Sequence, residues 1–143
     1  MLRKILDKLL SRTAYTQPRI DVSLSSDALY IIADREDMEA LFEHVLENSF
    51  EALNEENPFI RISSSIEKAP PHSLTVQVFN TGFPVKEEDV ERLFSPFFST
   101  KPKGTGFGLA IAKRAVRKNS GRLRIKGADN AGTRVVITLP RHE

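Results

Sequence analysis

A single long amphipathic segment, running from about Arg35 to Asn54, constrains the fold of this chain more than any other feature. Asp34 is suited to cap the beginning of a helix there, and Pro58 ends it. An advance of about 100° per residue collects the apolar side chains on one face, which must be buried against the rest of the chain. That face contains Met38, Leu41, Phe42, Val45, Leu46, Ser49, Ala52 and Leu53.

The elements predicted around this helix alternate irregularly between helix and strand, without a repeated β-α-β order. Such an order favours an α+β fold, a two-layer α/β sandwich in which a mixed, mostly antiparallel sheet packs on helices. The predicted elements are helices at Met1–Arg12, Lys86–Phe94 and Gly108–Asn119, the last ending at Gly121, a strand pair Ile20–Leu24 and Leu29–Ala33, and strands Phe59–Lys68, Ser73–Phe79, Arg122–Gly127 and Thr133–Leu139.

Composition limits the classes of protein that remain. The 143 residues, 40% of them apolar, are enough for one domain with its own core, and two large domains are excluded. The absence of cysteine removes thiol chemistry and zinc-cysteine sites. Apolar runs such as Ala28–Ala33 are too short for a membrane helix, and we expect no signal peptide.

The net charge of +2 conceals a strong segregation of charge along the chain. Asp34–Asn57 contains nine acids and one base, whereas Lys101–Lys126 contains nine bases and no acid. The basic stretch Lys113–Lys126 has no interleaved aromatic residue, so a nucleic-acid partner is the least favoured interpretation.

Polar residues follow one margin of the apolar stripe on the long helix. His44, Asn48 and Glu51 lie there at spacings of four and three residues. An amide oxygen at such a margin is a good ligand for a hard cation such as Mg²⁺. The alternative interpretations are that Asn48 is a hydrogen-bonded surface residue and that His44 has a structural role. Phe50 falls on the polar face, where we expect either a partner contact or a singly exposed apolar residue.

A glycine segment runs directly into the second long helix. Gly104, Gly106 and Gly108 leave room for a ligand to approach the backbone, and amides at a helix start form an anion site to which Lys101 and Lys103 add charge. Phosphate is the expected ligand of this segment. The P-loop pattern is absent. A dinucleotide-binding fingerprint does not fit, because the glycines do not have its spacing. A glycine-rich loop that binds no ligand remains an alternative.

Four segments in a fixed order resemble a known family, the ATP-binding catalytic domain of bacterial sensor histidine kinases. This family belongs to the superfamily that also holds gyrase and mismatch-repair ATPases. In order, the N box, first glycine box, F box and second glycine box are matched by His44–Ala52, Asn80–Pro84, Leu93–Lys101 and Gly104–Ala110. The resemblance extends from about Ile20 to Pro140.

The resemblance implies two parts of the chain and a nucleotide site. Residues 1–19 would be the end of a dimerisation helix and a connector, and residues 20–143 the catalytic domain. ATP would lie between the long helix and the glycine segment, with Asn48 as the Mg²⁺ ligand and Asn80 accepting a hydrogen bond from the adenine amino group. Asn48 and Lys101 would be the catalytic residues. The implied nucleotide-binding residues are His44, Asn48, Glu51, Ala52, Asn80, Gly82, Phe83, Lys101, Gly104, Thr105, Gly106, Phe107, Gly108, Leu109 and Thr133.

Four departures from the family pattern bear on activity. His44 stands where hydrolytic relatives have a water-activating Glu, so we expect poor intrinsic ATP hydrolysis. Asn80 replaces the usual Asp, and Pro84 replaces the second glycine of the first glycine box. Only two residues separate Lys101 from Gly104, which predicts a short lid, modest affinity and rapid exchange of ATP and ADP.

The phosphate acceptor is missing from the predicted domain. His44, His72 and His142 are the only histidines, and none lies in a segment resembling the acceptor motif. The resemblance therefore implies transfer to a histidine on a separate dimerisation domain, with a response regulator downstream. It also implies a cytoplasmic location, no membrane contact by this fragment, and homodimerisation only in the full-length kinase, which can be membrane-anchored. An anti-sigma-type serine kinase and a nucleotide-binding interaction module are the alternatives.

Overall fold

The computed structural model describes residues 1–11, 17–25, 31–69, 71–95, 108–128 and 131–141. In these residues a five-stranded sheet is covered on one face by helices. The elements are α1 (Leu2–Leu10), β1 (Arg19–Ser23), α2 (Arg35–Glu51), β2 (Phe59–Glu67), β3 (Ser73–Thr81), a 3₁₀ turn (Glu87–Asp89), α3 (Val90–Leu93), α4 (Gly108–Lys118), β4 (Arg122–Ala128) and β5 (Gly132–Pro140).

The sheet has the strand order β1-β2-β3-β5-β4. The pair β1 and β2 is parallel, and the other three pairs are antiparallel. Alternation along each strand sends one set of side chains toward the helices, as in β3, where Leu74, Val76, Val78 and Asn80 are buried. The predicted two-layer α+β sandwich with a mostly antiparallel sheet is thereby confirmed.

Helix α2 supplies much of the core on the helical side. The Asp34 side chain accepts a hydrogen bond from the Asp37 amide at 2.8 Å and so caps the first turn, as predicted. Leu41, Val45 and Leu46 are fully buried. The helix ends at Glu51 rather than Asn54, because the Asn54 amide donates to the Thr81 carbonyl at 3.0 Å and the chain turns toward the sheet.

A polar cluster joins the end of α4 to the beginning of α2. The Asn119 side chain accepts from the Asp34 amide at 2.8 Å and donates to Asp37 Oδ2 at 3.0 Å. Lys118 Nζ lies 3.3 Å from the other carboxylate oxygen of Asp37. The two helices therefore run antiparallel, and the N-terminus of α4 lies beside the middle of α2.

The predicted pairing of Ile20–Leu24 with Leu29–Ala33 is wrong. Strand β1 ends at Ser23 and pairs in parallel with β2, residues 31–33 form no strand, and residues 29–30 lie outside the described residues. Parallel neighbours require a long crossover connection, which α2 provides here. The sheet therefore contains one β-α-β unit that local alternation does not reveal.

The prediction that Phe50 is exposed is also wrong, because the side chain is 3% exposed and belongs to the core. Helix α1 packs on this side of α2: Lys8 Nζ lies 2.6 Å from Glu43 Oε1. Glu43 precedes Phe50 by seven residues and so lies on the same face. A face of α2 that looks solvent-facing on the helix alone thus contacts a second helix at Glu43 and is buried at Phe50.

Ser120, two residues after the end of α4, has a positive φ of 61°, whereas the sequence predicted the helix stop at Gly121. A left-handed conformation costs a residue with a Cβ about 1 kcal/mol relative to glycine. We expect Ser120→Gly to raise the free energy of unfolding by about 0.5–1 kcal/mol, measured by urea denaturation. Ser120→Ala retains the Cβ and is the control; an equal gain in both variants would contradict the conformational explanation.

Candidate functional site

The C-terminal end of α2 is held tightly against the end of β3. The Gly82 amide donates to the Ala131 carbonyl at 3.2 Å, and Gly82 has a φ of 145°. A Cβ at this position would lie 2.2 Å from the Ala52 carbonyl oxygen. Only glycine therefore permits α2 and the turn after β3 to approach this closely, which brings Gly82 against Ala52.

Asn80 occupies the last inward-facing position of β3 and is fully buried. Its Nδ2 donates to the Thr81 carbonyl at 3.1 Å, and since a carbonyl can only accept, this contact determines which way the amide faces. Among the described residues, Oδ1 has no hydrogen-bond partner. Leaving a buried acceptor unpaired costs free energy, so Asn80 Oδ1 is suited to receive a donor from a ligand.

Thr133 is the cross-strand neighbour of Asn80 on β5 and is 7% exposed. Its hydroxyl oxygen accepts a hydrogen bond from the Val85 amide at 3.1 Å, which holds the turn after β3 over this end of the sheet. Phe83, within that turn, is 97% exposed. The structure thus brings Asn80, Gly82 and Thr133 together and leaves the Phe83 ring at the surface beside them.

One of the margin residues of α2, His44, lies beside the N-terminus of α4. His44, Asn48 and Glu51 are half-buried. A Cβ on Gly108 would lie 3.4 Å from His44 Nδ1, so α4 begins directly beside His44. The first amides of this eleven-residue helix point out of its N-terminus and, with the helix dipole, favour an anion there. Leu109 is 6% exposed and packs in the core, which leaves only its backbone for a ligand.

The F box reaches α4 through its first residues. Leu93 and Phe94 pack against the core, and Lys113 Nζ lies 4.5 Å from the centre of the Phe94 ring. This cation–π contact fixes the start of the F box relative to α4. The other predicted site residues, Lys101, Gly104, Thr105, Gly106 and Phe107, lie outside the described residues.

Two residues that support the site were not among the predicted ones. A Cβ on Gly132 would lie 1.9 Å from the Asn80 carbonyl oxygen, so this glycine lets β5 approach the backbone of Asn80. Val85 donates the hydrogen bond that orients Thr133. A glycine at the first position of a strand is the one local signal that could have indicated the close approach.

The two halves of the site have complementary chemistry. At the end of β3, a buried amide oxygen accepts a donor, and at the start of α4, helix amides attract an anion. An amino-substituted heterocycle carrying phosphates presents both features. The fold and site therefore define a nucleotide-binding α+β sandwich.

A family model described as "Histidine kinase-, DNA gyrase B-, and HSP90-like ATPase" matches residues 33–143, and the chain belongs to this family. The swarming motility regulation sensor protein RssA of Serratia marcescens is 34% identical over 127 residues, which are 84% of this chain and 26% of that protein. The nucleotide-free catalytic domain of histidine kinase ThkA has a TM-score of 0.83 at 27% identity, over 98% of this chain and 90% of that one.

The expected resemblance is thus confirmed: the chain is an ATP-binding catalytic domain of the histidine kinase type. The fold is shared with full-length ShkA in complex with AMPPNP, at a TM-score of 0.81 and 22% identity over 98% of this chain and 29% of that one. The chain spans 19% of the length of sporulation kinase E of Bacillus subtilis and 22% of AtoS of Escherichia coli. Among the described residues, no helix has the length and apolar character needed to cross a membrane.

Proposed function

We propose that this domain binds ATP with Mg²⁺ and transfers the γ-phosphoryl group to a histidine on a separate dimerisation domain, as part of two-component signalling in the cytoplasm. A response regulator is then the next phosphate acceptor. The observation that carries the proposal is the buried Asn80 Oδ1, which lacks a partner among the described residues, on the same helix-covered side of the sheet as the N-terminus of α4.

The adenine ring fits the end of β3 by its hydrogen-bonding pattern. Its exocyclic amino group is a donor, and Asn80 Oδ1 is the buried acceptor available to it. Thr133 and Gly82 border that position. Because an amide carries no charge, this hydrogen bond is weaker than the one a carboxylate would make, which supports modest affinity and rapid release of ADP.

Asn48 fits the requirements of a Mg²⁺ ligand. Mg²⁺ takes few protein ligands, prefers oxygen, and completes its shell with water and substrate phosphates. Asn48 lies one helical turn after His44, which adjoins the N-terminus of α4. When bound, Mg²⁺ would neutralise charge on the phosphates.

Transfer requires the protein mainly to position groups and balance charge. The amides of Gly108 and its neighbours would hold the phosphate chain, with Lys101 and the segment Gly104–Phe107 expected to close over it. The acceptor imidazole attacks the γ-phosphorus, the bond from phosphorus to the bridging oxygen breaks, and ADP leaves. His44 offers no carboxylate to activate water, so hydrolysis in the absence of the acceptor is expected to be slow.

Asn48→Ala is expected to weaken ATP binding at least tenfold in the presence of Mg²⁺ and to leave binding in EDTA within twofold of the parent, because the change removes the proposed metal ligand. Isothermal titration calorimetry measures both. Asn57→Ala, the same change at an exposed position, is the control. An equal loss with and without Mg²⁺ would assign Asn48 another role, and a parent that binds no nucleotide would overturn the proposed function.

Transfer itself is tested by incubating the domain with labelled ATP and a separately expressed dimerisation domain. Phosphohistidine is lost in acid and survives base, so acid-labile label on that partner is the expected result. Acid-stable label would identify a serine kinase instead. Nucleotide binding without any transfer would leave only a nucleotide-binding interaction module.

A further inference from the structure

The face of the sheet opposite the helices is strongly basic. Because side chains alternate along a strand, every second residue of the five strands points outward. Six exposed bases and only two acids, Asp21 and Glu67, occupy these outward positions. The six bases are Arg19, Arg61, Arg122, Arg124, Lys126 and Arg134. We call this surface the basic sheet face.

One row across the basic sheet face alternates charge with an aromatic ring. The strand register makes Arg61 a neighbour of Phe79, Phe79 a neighbour of Arg134, and Arg134 a neighbour of Lys126. Because neighbouring strands lie about 4.8 Å apart, the backbones of Arg61 and Arg134 lie about 10 Å apart, on either side of the ring. The row therefore has a cation on each side of the ring, so a ligand that lies across the ring can contact both cations.

Three members of the row, Arg61, Phe79 and Arg134, line an open cavity of about 410 Å³. Arg61, Arg134 and the half-buried Phe79 line this cavity together with the polar side chains of Ser63 and Gln77. Guanidinium groups bind phosphates through paired hydrogen bonds, and a phenyl ring stacks on flat heterocycles. Positive charge, a ring and hydrogen-bonding groups thus meet in one concave place.

Arg61 is held in position before any ligand arrives. Its guanidinium carbon lies 5.3 Å from the centre of the Phe59 ring, and Arg19 lies 4.6 Å from the same centre. Asp21 also contacts Arg61, at 3.4 Å. Stacking and pairing restrict the Arg61 side chain, which lowers the entropy cost of binding an anion.

We propose that the basic sheet face binds a single-stranded nucleic acid, with Arg61 and Arg134 on successive phosphates and Phe79 stacked on a base. The bases Arg122, Arg124 and Lys126 extend the phosphate path along β4. Five of the six bases are arginine, the residue suited to phosphate. Insertion into a lipid surface would require exposed apolar side chains on this face. Among the described residues, none of the exposed large apolar side chains occupies an outward strand position.

This site is separate from the nucleotide site, because Phe79 points outward where the next residue, Asn80, points inward. The sequence alone disfavoured a nucleic-acid partner, since the basic stretch contains no aromatic residue. The sheet supplies the ring from β3, more than thirty residues away from that stretch. The proposal does not depend on the kinase activity.

The test uses the whole domain and a fluorescently labelled 12-nucleotide single strand, as RNA and as DNA, with anisotropy recorded over a series of salt concentrations. Arg61→Gln combined with Arg134→Gln is expected to weaken binding at least tenfold at 0.1 M salt and to reduce the slope of log affinity against log salt by about 1.4, for two phosphate contacts. Phe79→Leu is expected to weaken binding about fivefold with an unchanged slope, because stacking involves no counterion.

Arg3→Gln combined with Lys4→Gln removes the same charge from exposed positions on α1 and is the matched control, expected to stay within twofold of the parent. An equal loss of affinity in this control would show that the binding is nonspecific charge attraction and would overturn the proposal. Displacement by polyglutamate or by phosphatidylserine vesicles as effectively as by unlabelled oligonucleotide would overturn it in favour of an acidic protein or a membrane. Displacement by ATP would place the oligonucleotide at the nucleotide site instead. Absence of binding at low salt would also refute it.

Discussion

Replacement of Asn80 by leucine is expected to lower the affinity for ATP about 10- to 100-fold without lowering the stability of the ligand-free domain. Leucine has nearly the shape of asparagine but removes the buried acceptor Oδ1. The Thr81 carbonyl loses the hydrogen bond from Asn80 Nδ2 and keeps the one from the Asn54 amide. No buried backbone group is therefore left unpaired by the change.

Calorimetric titration with ATP and urea denaturation of the free domain measure the two effects. Asn80→Asp is the informative companion: a carboxylate strengthens the hydrogen bond to the adenine amino group but buries a charge when no ligand is bound. We expect tighter ATP binding and a lower free energy of unfolding in that variant. Asn80→Leu with parental affinity for ATP would show that the adenine ring binds elsewhere.

Gly82→Ala is expected to lower the free energy of unfolding by about 3–5 kcal/mol, a large loss for a single substitution. Two independent costs add at this position. The φ of 145° is strained for any residue with a Cβ, and that Cβ would lie 2.2 Å from the Ala52 carbonyl oxygen. Relief would require the end of α2 to move away from β3, which also disturbs the nucleotide site.

Urea denaturation of both proteins measures the loss. Gly108→Ala is the matched control, because the nearest atom to its new Cβ, His44 Nδ1, is at an ordinary contact distance of 3.4 Å. We expect the control to be as stable as the parent. Equal stability of the Gly82 and Gly108 variants would mean that α2 and the turn after β3 are not in the close contact described.

Local periodicity was sufficient to predict the elements that are long and amphipathic. The apolar stripe of α2, the helix α4 and the strands β2 to β5 were predicted within a few residues of their bounds, because side-chain direction repeats regularly along a helix or strand. Strand β1 was located but given the wrong partner. Its true partner, β2, begins after 35 intervening residues, and pairing at that separation depends on how α2 crosses the sheet.

The candidate site was predicted through its ordered motifs, and its residues differ in how far structure was needed to interpret them. Gly82 could be named from sequence, but its role as a contact with Ala52 could not, because that contact joins two elements. Asn80 was recognised by position. The hydrogen bond from its Nδ2 to the Thr81 carbonyl, which sequence could not show, directs Oδ1 to a place where it has no partner among the described residues.

The sequence by itself determined the class of fold, the family and the segregation of charge, because these depend on the order and spacing of residue types along the chain. Only the tertiary structure decided which surfaces are covered and which distant residues become neighbours. Phe50 is buried in a core that also contains side chains of α1, and the register of β2, β3 and β5 places Phe79 between Arg61 and Arg134. A side chain's own segment sets the direction in which it points, but the packing of other segments decides what it meets there.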